Sequence, residues 1–233
     1  MVAALVLSGL TKTFGNVLAL DSLSLTLEWG SIHGFVGPNG AGKTTMLSIV
    51  AGLKRKTAGD ITFGVPLHRM MLMPDTPDFF PLLTAREVVD LARHPFRRHV
   101  NKQAVAQMIE EVGLTEFIDR RVGGFSRGMK QRLGLATTLI GEPLLALLDE
   151  PCSALDPIGR REVLDTISRL RGKSTILFST HILSDVEDVC DSVTVVDHGT
   201  ALYEGSVSGI KKAEGQSFES AVLELLQPGR NSV

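Results

Sequence analysis

The run Gly37-Pro38-Asn39-Gly40-Ala41-Gly42-Lys43-Thr44-Thr45 restricts the fold of this chain more than any other stretch. It fits Gly-x-x-x-x-Gly-Lys-Thr, in which glycines let backbone N–H groups turn inward around phosphate oxygens. Such a loop works between a buried strand and a helix whose N-terminal dipole faces the anion. The flanks supply both. Ser31 to Val36 is a short, mostly apolar run that stops at Gly37, and a helix is expected from about Gly42 to a stop at Gly52. In that setting Lys43 reaches the β- and γ-phosphates of a nucleotide, and the Thr44 hydroxyl binds Mg²⁺.

The first 36 residues, upstream of that loop, read as strands. Leu23, Leu25 and Leu27 alternate with Ser22, Ser24 and Thr26, the period of a half-buried strand. Downstream, Asp60 to Phe63 and Arg69 to Met73 give further strands before the character changes. From Thr84 to Ile140 the pattern is helical. Thr84-Ala85-Arg86-Glu87 is a capping box, and Val105, Met108, Ile109 and Val112 form a stripe that starts after Asn101 and stops at Gly113. Strand and helix then alternate again. Leu144 to Leu148 is a strand, Pro157 to Arg171 a helix capped by Asp156 and closed by Gly172, and Thr175 to Phe178 a strand. Ser192 to Val196 and Thr200 to Tyr203 flank Asp197-His198-Gly199 as a hairpin. The alternation predicts an α/β fold with a parallel core sheet of the P-loop NTPase type, interrupted by a helical insert. A single domain is expected over 1–233, with core and β subdomain at about 1–76 and 142–233 and the helical part at about 77–141.

A phosphate loop alone leaves GTPases, kinases and ATPases open, and a second acidic site narrows the chemistry. Leu144 to Leu148 followed by Asp149-Glu150 is an apolar strand ending in two acids. Asp149 at the strand tip suits a Mg²⁺ ligand, and Glu150 beside it suits a general base for an attacking water. Lys43 and Asp149 stand 106 positions apart (149 − 43), which is no obstacle because neighbouring parallel strands are joined by long crossovers.

Further motifs follow in order. Phe125-Ser126-Arg127-Gly128-Met129-Lys130-Gln131-Arg132 precedes the acidic strand, Ser153-Ala154-Leu155-Asp156 follows it, and His181 ends Ser179-Thr180-His181. Singly, each has a plain reading: Phe14 as core, Ser126 as an ordinary helix N-cap, His181 as a structural residue at a strand end. Together, in this order, they resemble the ATPase cassettes of the ABC family over about residues 4 to 226, which implies an N-terminal antiparallel β subdomain beside the P-loop core and an inserted α-helical subdomain. The resemblance implies that Phe14 stacks on adenine, that Gly37 to Thr45 hold ATP with Mg²⁺, and that His181 bonds the γ-phosphate and reports its loss. It also implies that Ser126, Arg127, Gly128, Met129 and Asp156 act in trans, on ATP held by a second cassette in a head-to-tail sandwich. Ser126 and the Gly128 backbone would present helix N-terminal donors to that γ-phosphate, and Asp156 would couple the two sites.

Three positions depart from the family pattern. Asp75, in Met73-Pro74-Asp75-Thr76-Pro77, stands where the family commonly carries Gln. An ionised carboxylate only accepts hydrogen bonds, whereas an amide also donates. Asp75 adds negative charge beside a triphosphate and ligates Mg²⁺ either directly or through water. Arg127 replaces the first signature glycine, and Met129 stands where Gln is common. Arg127 either adds a cation near the partner's phosphates or points to solvent. Such variants look like single-cassette subunits that serve separately encoded membrane subunits, often exporters.

Bulk properties set the remaining limits. At 233 residues, 43% hydrophobic and 21% charged, the chain is ordinary for one large domain with a sizeable core. A net charge of −2 gives no positive field for nucleic acid. The basic cluster Arg93-His94-Pro95-Phe96-Arg97-Arg98-His99 reads as the solvated edge of a lobe. Cys152 and Cys190 are too few for a disulfide framework and lack metal-ligand spacing, which points to a reducing, cytoplasmic setting. No apolar run approaches the roughly 18 residues of a membrane span. Met1-Val2-Ala3-Ala4-Leu5-Val6-Leu7 lacks the basic lead-in of a signal peptide and reads as a strand. The expected protein is an ATPase subunit at the inner face of the cell membrane, working as a homo- or heterodimer with separately encoded transmembrane permease subunits and without nucleic acid. Two alternatives remain. One is a soluble ABC ATPase acting on ribosomes or DNA, whose paired cassettes, charged linker or coiled coil are missing here. The other is a cassette that binds ATP but hardly hydrolyses it, which Asp75 and Arg127 favour and Glu150 and His181 oppose.

Overall fold

Strand periodicity sorts the chain into two sheets. In a computed structural model, which describes residues 3–211 and 215–227, the strands are β1 (Leu5–Phe14), β2 (Val17–Leu27), β3 (Ile32–Val36), β4 (Ala58–Phe63) and β5 (Met70–Met73). They continue as β6 (Leu145–Asp149), β7 (Thr175–Thr180), β8 (Ser192–Asp197) and β9 (Thr200–Ser206). Strands β2-β1-β4 form an antiparallel sheet, and β5-β6-β7-β3-β8-β9 form the core sheet, parallel except at the β9 edge. In β2 the leucines at 23, 25 and 27 are buried and their polar neighbours exposed, as alternation requires. Every residue of β3, β6 and β7 is buried, which is why these strands read as apolar runs and not as alternating ones. Met1 and Val2 of the expected first strand lie outside the described residues.

The two faces of the core sheet carry separate apolar clusters. Phe35, Leu145, Leu147 and Leu177 pack with the leucines of β1 and β2 and with α1 (Lys43–Val50). Ala146, Leu148, Ile176 and Phe178 face the other helices: α2 (Ala85–Arg93), α3 (Gln103–Glu111), α4 (Arg127–Leu139), α5 (Pro157–Ser168), α6 (Leu183–Val189) and α7 (Phe218–Leu226). Helices α2 to α4 fall between β5 and β6, where the helical insertion was expected.

Local signals act as read. Thr84 caps α2 by accepting from the Glu87 amide at 3.2 Å, and Glu87 Oε2 accepts from the Thr84 amide at 2.8 Å. Those bonds hold the Glu87 carboxyl below the usual carboxylate range. Thr84→Ala should lower stability by about 1 kcal/mol, read as a shifted urea midpoint with an unchanged slope. Gly52 takes φ 75° just past α1, as its stop requires. The turn His198-Gly199 has φ 44° and 80°, the double left-handed turn of a two-residue hairpin.

Two expectations need correction. Helix α5 ends at Ser168, short of Arg171, because its last turn tightens through Leu170 N to Ile167 O and Arg171 N to Ser168 O. Gly172 is left-handed nonetheless and donates to Gly30 O at 2.8 Å. The basic cluster is not all solvated edge. Arg93 and Phe96 are buried, the guanidinium bonded to Asp90 at 2.7 Å and to Val100 O at 2.9 Å, which makes Arg93 a structural cation.

His33 in β3 is 1% exposed and lies between Ser192 Oγ at 2.7 Å and Thr194 Oγ1 at 2.9 Å. Burial pushes its pKa from 6.5 down to about 3, so the imidazole stays neutral in the fold. The unfolded chain therefore binds a proton that the folded chain refuses. Stability should fall as pH drops from 6.5 towards 3, by up to about 1.4 kcal/mol per pH unit from this group. Urea melts at two pH values inside that window should show the loss, and His33→Gln should flatten it.

Candidate functional site: a nucleotide pocket at the phosphate loop

Strand β3 delivers the chain into the loop, and its neighbours leave room only for glycine. A Cβ on Gly37 would lie 2.1 Å from Val196 O, and one on Gly42 would lie 2.6 Å from Ala19 O. Gly42 also holds φ 100°. The hairpin tip braces the loop from outside, with Gly199 N donating to Ala41 O at 3.1 Å. Gly37→Ala should therefore collapse the loop and abolish nucleotide binding, checked by titration beside a thermal melt.

The loop opens on a cavity of about 370 Å³, within the size range of small-ligand sites. Asn39, Gly40, Gly42, Lys43, Thr44 and Thr45 line one wall. Asp75, Glu150 and His181 line the others, together with Ser153 and Arg127. Lys43, 7% exposed, curls back over the loop, its Nζ donating to Gly37 O at 2.8 Å and Pro38 O at 3.2 Å. Its third partner is Glu150 Oε1 at 3.3 Å.

Glu150 is held in an unusual backbone conformation. Its φ is 49°, the left-handed region, which costs a non-glycine residue roughly 1–2 kcal/mol. Three bonds offset that cost. Its amide donates to Ser179 Oγ at 3.0 Å and Ser179 O at 3.2 Å, and its carbonyl accepts from Gln131 Nε2 at 2.8 Å. The carboxylate consequently spans the cavity, one oxygen on Lys43 and the other 2.9 Å from His181 Nδ1. Asp149 at the end of β6 is 3% exposed and accepts from Ser179 Oγ at 2.6 Å.

Thr44, Asp149 and Asp75 offer only oxygen, the hard donors that Mg²⁺ takes. Among the described residues no three His, Cys, Asp or Glu side chains converge as a closed metal site. Such a donor set fits a Mg²⁺ ion shared with phosphates, because this ion is ordinarily held by one or two carboxylates plus substrate oxygens.

Ser126, Gly128, Met129 and Asp156 lie elsewhere. They line a second cleft of about 600 Å³, in which Ser126 caps α4 through Met129 N and Asp156 caps α5 through Gly159 N. Phe14 does not line the first cavity. Its ring is 43% exposed, with Lys12 Nζ 4.6 Å from its centre.

Sequence reasoning missed three supporting residues. Ser179 ties Asp149 to the Glu150 amide, Gln131 holds the Glu150 carbonyl, and Ser153 Oγ reaches Asp75 Oδ1 at 3.3 Å. Each sits inside a motif, but which atom each one reaches depends on strands far apart in sequence.

A parallel sheet, a glycine-bounded loop at a helix N-terminus and acids on the adjoining strand tip together define a P-loop NTPase. Residues 20–153 match the family model described as ABC transporter. The chain belongs to that family. It is 37% identical over 228 residues to the ABC transporter ATP-binding protein YxlF of Bacillus subtilis, covering 95% of this chain and 77% of that one. It is 38% identical over 221 residues to the bacitracin transport ATP-binding protein BcrA of Bacillus licheniformis, covering 90% and 72%. A solved ATP-binding subunit of an ABC transporter superposes with TM-score 0.84 at 26% identity, covering 96% of this chain and all of that one. The chain is an ATP-binding subunit of an ABC transporter and an ATPase. Among the described residues no helix is long and apolar enough to cross a membrane.

Proposed function

We propose that the chain hydrolyses ATP in a site completed by a second cassette and so drives a separate transmembrane partner, in the direction of export. The observation that carries this reading is Glu150, which bridges Lys43 and His181 across the mouth of the phosphate loop. An arriving γ-phosphate competes for Lys43, because an ammonium prefers the more highly charged acceptor. Release of Lys43 frees one Glu150 oxygen to accept a proton from water, while His181 keeps the other in place. The water oxygen then bonds to γ-phosphorus, the bond to the ADP oxygen breaks, and phosphate leaves. Bound Mg²⁺ would neutralise developing charge on the phosphate oxygens. On this reading Thr44 and Asp149 hold the ion, with Asp75 as a further oxygen ligand, and the loop from Gly37 to Thr45 cradles the triphosphate. His181 also contacts the γ-phosphate, and Phe14 stacks on adenine once Lys12 moves off its ring.

Two chains facing head to tail would bring the cleft of Ser126, Arg127, Gly128 and Met129 over the partner's ATP, with Asp156 joining the sites. The cleft's separation from the cavity supports that arrangement, since Ser126, Gly128, Met129 and Asp156 line only the cleft. A cytoplasmic position at the inner membrane face follows from the role, and export leans on the likeness to a bacitracin transport protein. The test is affinity purification of the chain from its native membrane. A span-containing permease subunit should co-purify, and ATP should change its retention; a ribosome or DNA complex in its place would sink the transport reading.

A further inference from the structure

Two of the positions that depart from the family pattern meet at one place. Asp75 and Arg127, 52 positions apart in sequence (127 − 75), both line the cavity of the chain's own phosphate loop. Asp75 is fixed there by Ser153 Oγ on one carboxylate oxygen and reached by Thr76 Oγ1 at 3.4 Å on the other. Arg127 opens helix α4, and its long side chain extends from the signature cleft to the cavity, so it borders both. Among the described residues Arg127 makes no ion pair with an acid, a condition it shares with seven other arginines, but it alone of the arginines lines the cavity of the phosphate loop. A guanidinium without an acidic partner beside a phosphate loop is a ready anion ligand, since its planar fork matches phosphate oxygens.

The charges give the reason for the pairing. The cavity is lined by Lys43 and Arg127 against Asp75 and Glu150. Without Arg127 the formal balance of those side chains would be negative, before buried Asp149 is added, in a site that must take a triphosphate. With Arg127 the balance returns to that of a cassette carrying Gln at position 75 and Gly at position 127.

We propose that Arg127 is a nucleotide-positioning cation of its own chain's pocket, and that it offsets the charge Asp75 adds there. The proposal deepens the ATPase reading and rests on it. It differs from the trans role that the family likeness implies for this position, because it predicts an effect on a chain that has no partner.

The experiment is titration of the magnesium complex of a non-hydrolysable ATP analogue into the full chain, at a concentration where sedimentation shows a monomer. Arg127→Gly should weaken binding about fivefold, the scale expected of one solvent-exposed charge contact. Asp75→Gln should tighten it by a similar factor, and the double variant should return to within about twofold of the parent. Arg127→Lys should retain much of the affinity, and the gap between parent and Arg127→Gly should close as salt rises to 0.5 M. Thermal melts of each variant check that the fold is kept. Unchanged monomer affinity in Arg127→Gly overturns the proposal, as does a double variant as weak as Arg127→Gly alone. The ATPase reading is judged separately, by whether the parent binds the analogue and Lys43→Ala does not.

Discussion

Lys43→Ala should reduce ATP affinity by at least about a hundredfold. In the resting pocket its ammonium holds two loop carbonyls and Glu150 at once. On the proposed mechanism an incoming phosphate replaces Glu150 as the charged partner, and hydrogen bonds to charged groups contribute about 1.5–3 kcal/mol each, so losing one or two of them reaches that factor. The same change strands Glu150, which is only 12% exposed, without its cation and close to Asp149. A lower thermal midpoint in the absence of nucleotide is therefore also expected. Fluorescent-nucleotide titration reads the first effect and a melt reads the second. Unchanged affinity would remove the loop from the account.

Glu150→Gln should separate binding from turnover. The amide keeps an oxygen to accept from His181 but cannot take a proton from water, and positioned general bases contribute typically 10²–10⁴-fold in rate. It also gives up the charge that competes with ATP for Lys43, so affinity should hold or rise. With ATP persisting, two chains should stay closed around it and run as a dimer on a sizing column in Mg²⁺ and ATP, while the parent returns to monomer as ATP is consumed. A variant that stays monomeric under those conditions would argue against the shared site.

The fold was legible because its signals are local. The alternation in β2, the capping box at Thr84 and the His198-Gly199 turn each place an element within a few residues. Burial pattern separated the fully covered strands β3, β6 and β7 from the half-exposed ones. The tightened end of α5 and the internal Arg93 were not legible, since each depends on packing against distant segments. In the site, residue types and order pointed to the phosphate loop and the acids; the structure brings the loop and Glu150 to one cavity, with Asp149 buried at the strand end beside it. What sequence could not show was the wiring between them. The Lys43–Glu150–His181 chain and the Ser179 brace join residues 29 to 138 positions apart (179 − 150 and 181 − 43), through strands paired across the sheet. Nor could it show that Asp75 and Arg127 line the same cavity, because they come from segments 52 positions apart (127 − 75).

The most direct test of the central claim is phosphate release in a single turnover, with the chain in excess over labelled ATP and Mg²⁺. The parent should cleave the bound ATP, and Glu150→Gln should hold it intact, slower by about 10²–10⁴-fold. Equal phosphate release from both, or none from the parent, would contradict the assignment of Glu150 as the base of an active ATPase.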